Sequence, residues 1–217
     1  MLSNIKTIFF DYDGTIHNSI EIYTPAFNKA YQYLADNGLV KERTWKKEEL
    51  IKWLGYNSKD MWMAFMPELE EQLREQASKI VGQEMMENIN KGKAVLYEDA
   101  LDTLDYLKKK GYTLVFISNC NTYYKDSHKA AFDLGRYFKD MIGSQEFDYI
   151  SKADILEKIM NRYPKDYCIV GDRSYDIEAG TKNKIHTIGC LYGFGSKEEL
   201  KDADIFIGSI SELKKYF

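Results

Sequence analysis

The sequence predicts an α/β protein built on a parallel sheet with helices on both faces, interrupted by an inserted all-helical segment. Three observations carry this. From Ala94 onward, short apolar runs alternate with segments of helical period, which is the pattern of strand–helix–strand units joined by right-handed crossovers. Near the start, Ile8-Phe9-Phe10 is a run of the same strand character. Between Ser19 and Lys93 no strand-like alternation occurs. The expected organisation is therefore a discontinuous sheet domain, residues 1–17 and 92–217, and a helical domain, residues 18–91.

In order, Ile8-Phe9-Phe10 is a first strand, buried on both faces, that ends in Asp11-Tyr12-Asp13-Gly14-Thr15. Ile22, Ala26, Ala30 and Leu34 mark a helix stopped at Asn37-Gly38. Glu48 to Leu54 is a short amphipathic piece ended by Gly55, and Asn57-Ser58 caps a helix carrying Met61, Trp62, Phe65 and Met66 up to Pro67. A charged helix follows from Glu68 to Asn90, with Leu69, Leu73, Ala77, Ile80 and Val81 as its apolar stripe. Leu101, Leu104 and Leu107 belong to a helix that stops at Gly111. Further strands are Thr113–Ile117, Met141–Gly143, Tyr167–Val170 and Asp204–Ile207. Between them lie helices from Tyr123 to Leu134, from the cap residue Ser151, and from Tyr175 to Lys182, the last leading into Ile185–Gly189. A terminal helix carries Ile210, Leu213 and Phe217.

Composition bounds the function. Hydrophobic content of 44%, charged content of 29% and a net charge of −4 describe an ordinary acidic globular protein, with no basic surface for nucleic acid. Cys120, Cys168 and Cys190 are odd in number and widely spaced, which favours free packing thiols in a reducing cytoplasm. No leader pattern precedes Ile5 and no run approaches membrane-spanning length, so no membrane partner is expected.

The chemistry lies where strands end. In a strand-like conformation Asp11 and Asp13 point one way and Tyr12 the other, while Gly14 lets the chain turn. Alone, this is as consistent with a plain Asp-Gly turn. Yet the second strand ends in Ser118-Asn119, the Tyr167–Val170 strand ends in Gly171-Asp172 with Asp176 four residues on, and Lys152 opens the helix before that strand. A parallel sheet brings these ends to one edge. Adjacent carboxylates that stay ionised need a cation, and oxygen donors without His or Cys suit Mg²⁺. Such a site suits a phosphate: the metal and Lys152 neutralise it, Ser118 and backbone N–H groups bind its oxygens, and one carboxylate can attack phosphorus.

This set resembles the haloacid dehalogenase-like (HAD) hydrolase superfamily along essentially the whole chain. The motifs are Asp11-Tyr12-Asp13-Gly14-Thr15, Ser118, Lys152 and Gly171-Asp172-Arg173-Ser174-Tyr175-Asp176. The helical insert is similar to the cap of its subclass I, and Gly171 to Gly180 with Gly189 to Ser196 and Glu198-Glu199-Leu200 look like the phosphoglycolate phosphatase-like branch. The resemblance implies a Rossmann-like core and a Mg²⁺-dependent phosphatase acting on a small phosphorylated metabolite, as a monomer or homodimer. It implies Asp11 as nucleophile and Asp13 as proton donor and then base, its proton affinity raised by the neighbouring carboxylate. Mg²⁺ would be held by Asp11, the Asp13 carbonyl and Asp172, with Asp176 orienting metal waters or Lys152. Thr15, Ser118, Asn119 and Lys152 would serve the phosphoryl group.

Nucleotidases and pyrophosphatases lie near that branch, so the substrate stays open between them. Asp13 speaks against dehalogenase chemistry; sugar phosphomutases of the branch carry His where this chain has Tyr23, with His17 nearby at a different offset, which leaves mutase chemistry a minor alternative. A receiver-type signalling domain needs no helical insert and does not pair its acids this way, and a silent binding module would bind phospho-ligands without releasing phosphate. Two departures from the branch pattern are Ala153 after Lys152, in place of Pro, and Arg173 after Asp172, which either projects over the site or is solvated. His17, His128 and His186 lack ligand spacing and read as structural. Trp53, Trp62, Phe65 and Met66 read mostly as core of the insert, with one or two facing substrate. Arg43 and Lys59 are either substrate contacts or solvated.

Overall fold

The computed structural model describes residues 2 and 4–217. The chain divides into two compact units, Met1–Asn18 with Leu96–Phe217 and Ser19–Val95. The strands are β1 (Thr7–Phe10), β2 (Thr113–Ser118), β3 (Asp140–Gly143), β4 (Tyr167–Gly171), β5 (His186–Cys190) and β6 (Ile205–Ile207). The helices are α1 (Ile20–Asp36), α2 (Lys47–Leu50), α3 (Ser58–Phe65), α4 (Glu71–Asn90), α5 (Ala100–Lys109), α6 (Thr122–Ala131), α7 (Lys152–Ile159) and α8 (Ser174–Lys182).

The expected α/β class is what the larger unit shows. Its sheet has the order β3-β2-β1-β4-β5-β6 with every pairing parallel. β1 is central because all four of its residues are buried, so it needs apolar cover on both faces. On one face Phe9, Val115, Ile117 and Ile169 pack against Ala153, Ile155, Leu156 and Ile159 of α7 and Ala179 of α8. On the other, Phe10 and Phe116 meet the ring of Phe138 edge-on. The strand order reverses between β1 and β4, and such a switch point opens a crevice at the carboxyl ends of the strands. Asp11 is the first residue beyond β1 at that place, its N–H donating to the Val170 carbonyl at 2.9 Å.

In the smaller unit α1 packs along α4. Phe27 stacks on Trp62, which is fully buried, and the ring of Phe65 stands edge-on to Phe27, Trp45, Trp53 and Trp62. These aromatics form that unit's core. Arg43 lies over the Trp45 ring and pairs with Glu49, so its charge is engaged within the same unit.

Local rules hold at several termini. Asn57 and Ser151 accept from the backbone N–H of Asp60 and Asp154, capping α3 and α7. Some boundaries differ. α4 starts at Glu71, and Leu69 is buried ahead of the helix. Met86 and Ile89 join Ala77 and Val81 on its buried side, while Leu73 and Ile80 are only half-buried. The expected terminal helix is a tighter 3-10 turn, Ile210–Lys215. The return to the sheet unit comes at Leu96: Gly92 ends α4, but the chain joins the sheet unit only where Leu96 forms an antiparallel bridge with His17.

Leu156 is fully enclosed between α7 and the sheet. Its replacement by Ala is expected to cost about 2–5 kcal/mol of unfolding free energy, measured by chemical denaturation. A cost under about 1 kcal/mol would contradict the packing described.

Candidate active site

The Asp11–Thr15 loop is built by its backbone. The Tyr12 carbonyl accepts from the N–H groups of Thr15, Ile16 and His17, folding the chain back directly after β1. Gly14 sits at φ +88°, and a Cβ there would lie 2.1 Å from Asp172 Oδ2. Glycine is therefore required twice over, for the backbone angle and for the close approach of the Asp172 carboxylate.

Lys152 joins the first and last motifs. Its ammonium lies 2.6 Å from Asp11 Oδ1 and 2.6 Å from Asp176 Oδ1, with all three side chains buried. Burial alone would push the ammonium down, but Asp11 and Asp176 outweigh it and hold Lys152 above the usual lysine range. Asp176 Oδ2 accepts from the Arg173 N–H at 3.0 Å, fixing the start of α8. Asp172 accepts from the Phe194 N–H at 2.7 Å and from the Thr15 hydroxyl at 3.2 Å. The Gly193 backbone wraps so tightly that a Cβ there would lie 2.3 Å from that of Asp172.

Oxygens of Asp11, Asp172 and Asp176 lie within 4.8 Å of one another and could hold a metal ion. Burial pushes the Asp11 carboxyl well above the usual range; Lys152 pulls it back, while Asp176 and Asp172 push it up again. Burial and Asp176 raise Asp172 to about 7. Three acids crowd around one ammonium, an acidic excess that, with burial, is what raises Asp11 and Asp172, while Arg173 is paired with Glu199 at 2.7 Å. An all-oxygen donor set with that excess fits a hard divalent cation such as Mg²⁺. Asp176 also serves Lys152 and the Arg173 N–H.

Of the other residues predicted from the sequence, Ser118 is buried at the end of β2. Asn119 follows it at the same edge. Asp13 departs from expectation. Burial raises its carboxyl, but the hydrogen bond and charge of His17, with a hydrogen bond from Tyr124, outweigh this and bring it below the usual range. The expected rise from the neighbouring carboxylate is overturned because these donors face Asp13 directly. Arg173 is neither solvated nor unengaged, since Glu199 holds it.

His17, Tyr124 and His128 also belong to the site, although the histidines lack ligand spacing and Tyr124 stands in none of the motifs. Tyr12 OH lies 2.7 Å from His128 Nδ1, and the Tyr12 ring stacks on His17 at 5.2 Å. Burial drives His128 down to about 3, so it is a neutral imidazole sharing a hydrogen bond with the Tyr12 hydroxyl. The available signal was the spacing of Tyr124 and His128, one turn apart on the buried side of α6.

Fold and site together define an α/β protein with a cluster of buried carboxylates at a sheet switch point. A family model described as haloacid dehalogenase-like hydrolase matches residues 8–190, and the chain belongs to that family. Among curated relatives, a phosphoglycolate phosphatase of Haemophilus influenzae is 26% identical over 220 residues, covering 94% of this chain and 93% of that one. Among solved structures, a predicted phosphatase from Clostridium acetobutylicum is similar at a TM-score of 0.83 and 26% identity, covering 98% and 97% of the two chains. A predicted phosphoglycolate phosphatase from Haemophilus somnus shares the fold at a TM-score of 0.83 and 24% identity, over 98% and 97%.

The raised acids give a pH signature. Where folded Asp11 and Asp172 hold protons that the unfolded chain has lost, stability falls as pH rises, from about 4 upward and, for Asp172, through about 7. Asp13, held low, changes stability only below the usual carboxylate range and so does not contribute in this window. Mg²⁺ is expected to raise the melting temperature more at about pH 8 than at about pH 5.5, read by calorimetry. An equal rise at both would count against these acids as its seat.

Proposed function

We propose that this haloacid dehalogenase-like hydrolase is a Mg²⁺-dependent phosphatase that cleaves a small phosphate monoester through a phosphorylated Asp11, with a phosphoglycolate-like compound as substrate. The observation that carries the reading is the buried cluster of Asp11, Asp172 and Asp176 at the switch point, three acids with one ammonium, Lys152, bonded to Asp11 and Asp176. The relatives named phosphoglycolate phosphatase support the substrate class.

Asp11 attacks phosphorus, forming an acyl phosphate as the bond to the leaving oxygen breaks. For this step Asp13 must carry a proton in the substrate complex, which the negative charge of the bound phosphate beside it favours; it gives that proton to the oxygen, which departs as an alcohol. Asp13, now a carboxylate, takes a proton from water as the water oxygen bonds to phosphorus. Phosphate leaves and Asp11 regains its carboxylate. Lys152 holds Asp11 in place and balances charge on the transferring group, and Ser118, Asn119 and Thr15 line its binding edge. Asp11, Asp172 and the Asp13 carbonyl would hold Mg²⁺, which when bound neutralises the phosphate. The helical unit, residues 19–95, acts as the cap that selects the substrate.

Hydrolysis of p-nitrophenyl phosphate is expected to require Mg²⁺ and to fall by at least about 10³-fold in Asp11→Asn, with circular dichroism checking that the variant is folded at the assay temperature. Acid quenching during turnover of a ³²P-labelled substrate should leave label on the wild-type chain and none on the mutant. Equal rates in both proteins would sink the nucleophile assignment. Ranking phosphoglycolate, nucleoside monophosphates, sugar phosphates and pyrophosphate by kcat/KM tests the substrate; preference for a nucleotide or pyrophosphate would replace the phosphoglycolate reading.

A further inference from the structure

Asp13 is gripped from one side. The Tyr124 hydroxyl donates to Asp13 Oδ1 at 2.8 Å, and His17 Nδ1 lies 2.9 Å from the same oxygen. The two donors are themselves 3.3 Å apart. Neither bond falls on Oδ2. A carboxylate oxygen only accepts, so His17 Nδ1 carries the hydrogen.

Both donors are fixed by what surrounds them. His17 is fully buried, its ring stacked on Tyr12 at 5.2 Å and 4.4 Å from that of His128. The Tyr124 ring lies 4.3 Å from that of His128, whose Nδ1 lies 2.7 Å from the Tyr12 hydroxyl. His17 comes from the turn after Gly14, and its N–H is tied to the Tyr12 carbonyl at 2.9 Å. Tyr124 comes from the first turn of α6, whose Asn121 cap accepts the Tyr124 N–H at 2.8 Å. Two elements far apart in sequence thus deliver two donors to one oxygen atom.

We infer that His17 and Tyr124 are positioning residues that reserve Oδ1 of Asp13 as an acceptor and leave Oδ2 to carry the mobile proton. The inference rests on the proposed reading of Asp13 as the proton donor. In the first half-reaction the O–H bond at Oδ2 breaks, its proton passes to the leaving oxygen, and that oxygen keeps the electron pair of its bond to phosphorus. In the second half-reaction a water proton returns to Oδ2. Throughout, the Oδ1 bonds are unchanged, so the carboxyl does not rotate between the two proton transfers. Without them either oxygen can carry the proton, and only one faces the reaction.

Dependence on the leaving group separates this role from a structural one. A nitrophenolate departs with little help, whereas an alkoxide must be protonated. We expect Tyr124→Phe and His17→Phe to lose about tenfold in kcat/KM on phosphoglycolate, or another alkyl phosphate the wild type turns over, and under about threefold on p-nitrophenyl phosphate. His17→Asn, which keeps a donor near the Nδ1 position, should recover most of the alkyl phosphate activity. Melting curves check that each variant is folded, and Tyr124→Phe keeps the ring that packs on His128. Equal losses on both substrates, or none, would overturn the inference. Asp13→Asn serves as the control: if it spares the alkyl phosphate, the reading of Asp13 falls and the inference with it. If Asp13→Asn discriminates between the substrates and the other variants do not, the inference alone fails.

Discussion

The site depends on one buried ammonium. Lys152 stands at the first position of α7, where the helix dipole disfavours a positive charge, and its side chain is 4% exposed. Two carboxylates compensate, Asp11 from the end of β1 and Asp176 from the first turn of α8, each at 2.6 Å. A buried ion pair is a weak source of net stability, but removing one member strands the other at a cost of about 3–5 kcal/mol. The three elements are therefore held in one mutual arrangement. Asp172 then completes the cluster, kept in place by Thr15 and by the Phe194 N–H.

Single-residue alternation along the opening turn separates two kinds of chemistry. Asp11 faces the ionic cluster, while Tyr12, fully buried, turns away into an aromatic and imidazole layer with Phe116, His17 and His128. Asp13 returns toward the donors of that layer through His17 and Tyr124. The two acids consequently sit in opposite electrostatic settings, Asp11 held up by burial and its acidic neighbours, Asp13 held down by hydrogen-bond donors. This is how two like groups separated by one residue come to differ in proton affinity.

Much of this was legible in the chain. The strands announce themselves because a parallel sheet covered on both faces demands continuous apolar runs, and Ile8–Phe10 and Tyr167–Val170 satisfy that demand. The acids could be read because they stand at the ends of such runs. What stayed hidden are partnerships across long stretches of chain. Tyr124 reaches Asp13 from 111 residues away, and Glu199 holds Arg173 from 26 residues away, and neither pairing leaves a periodic mark. The end of the long α4 helix at Asn90 was legible, but the point of return to the sheet depended on a bridge between His17 and Leu96 that no local preference specifies.

That bridge has a consequence for how such a chain can diversify. His17 and Leu96 face each other, so the sheet unit gives up and recovers the chain at nearly one point. From the sheet's side, everything between is a single loop whose ends are already closed. The entropy of closing a loop grows only logarithmically, about 0.6 kcal/mol for each doubling of its length. Lengthening, shortening or replacing the helical unit therefore leaves the sheet's folding free energy nearly unchanged. A chain of this build can acquire new selectivity by exchanging one module while the carboxylate cluster stays untouched.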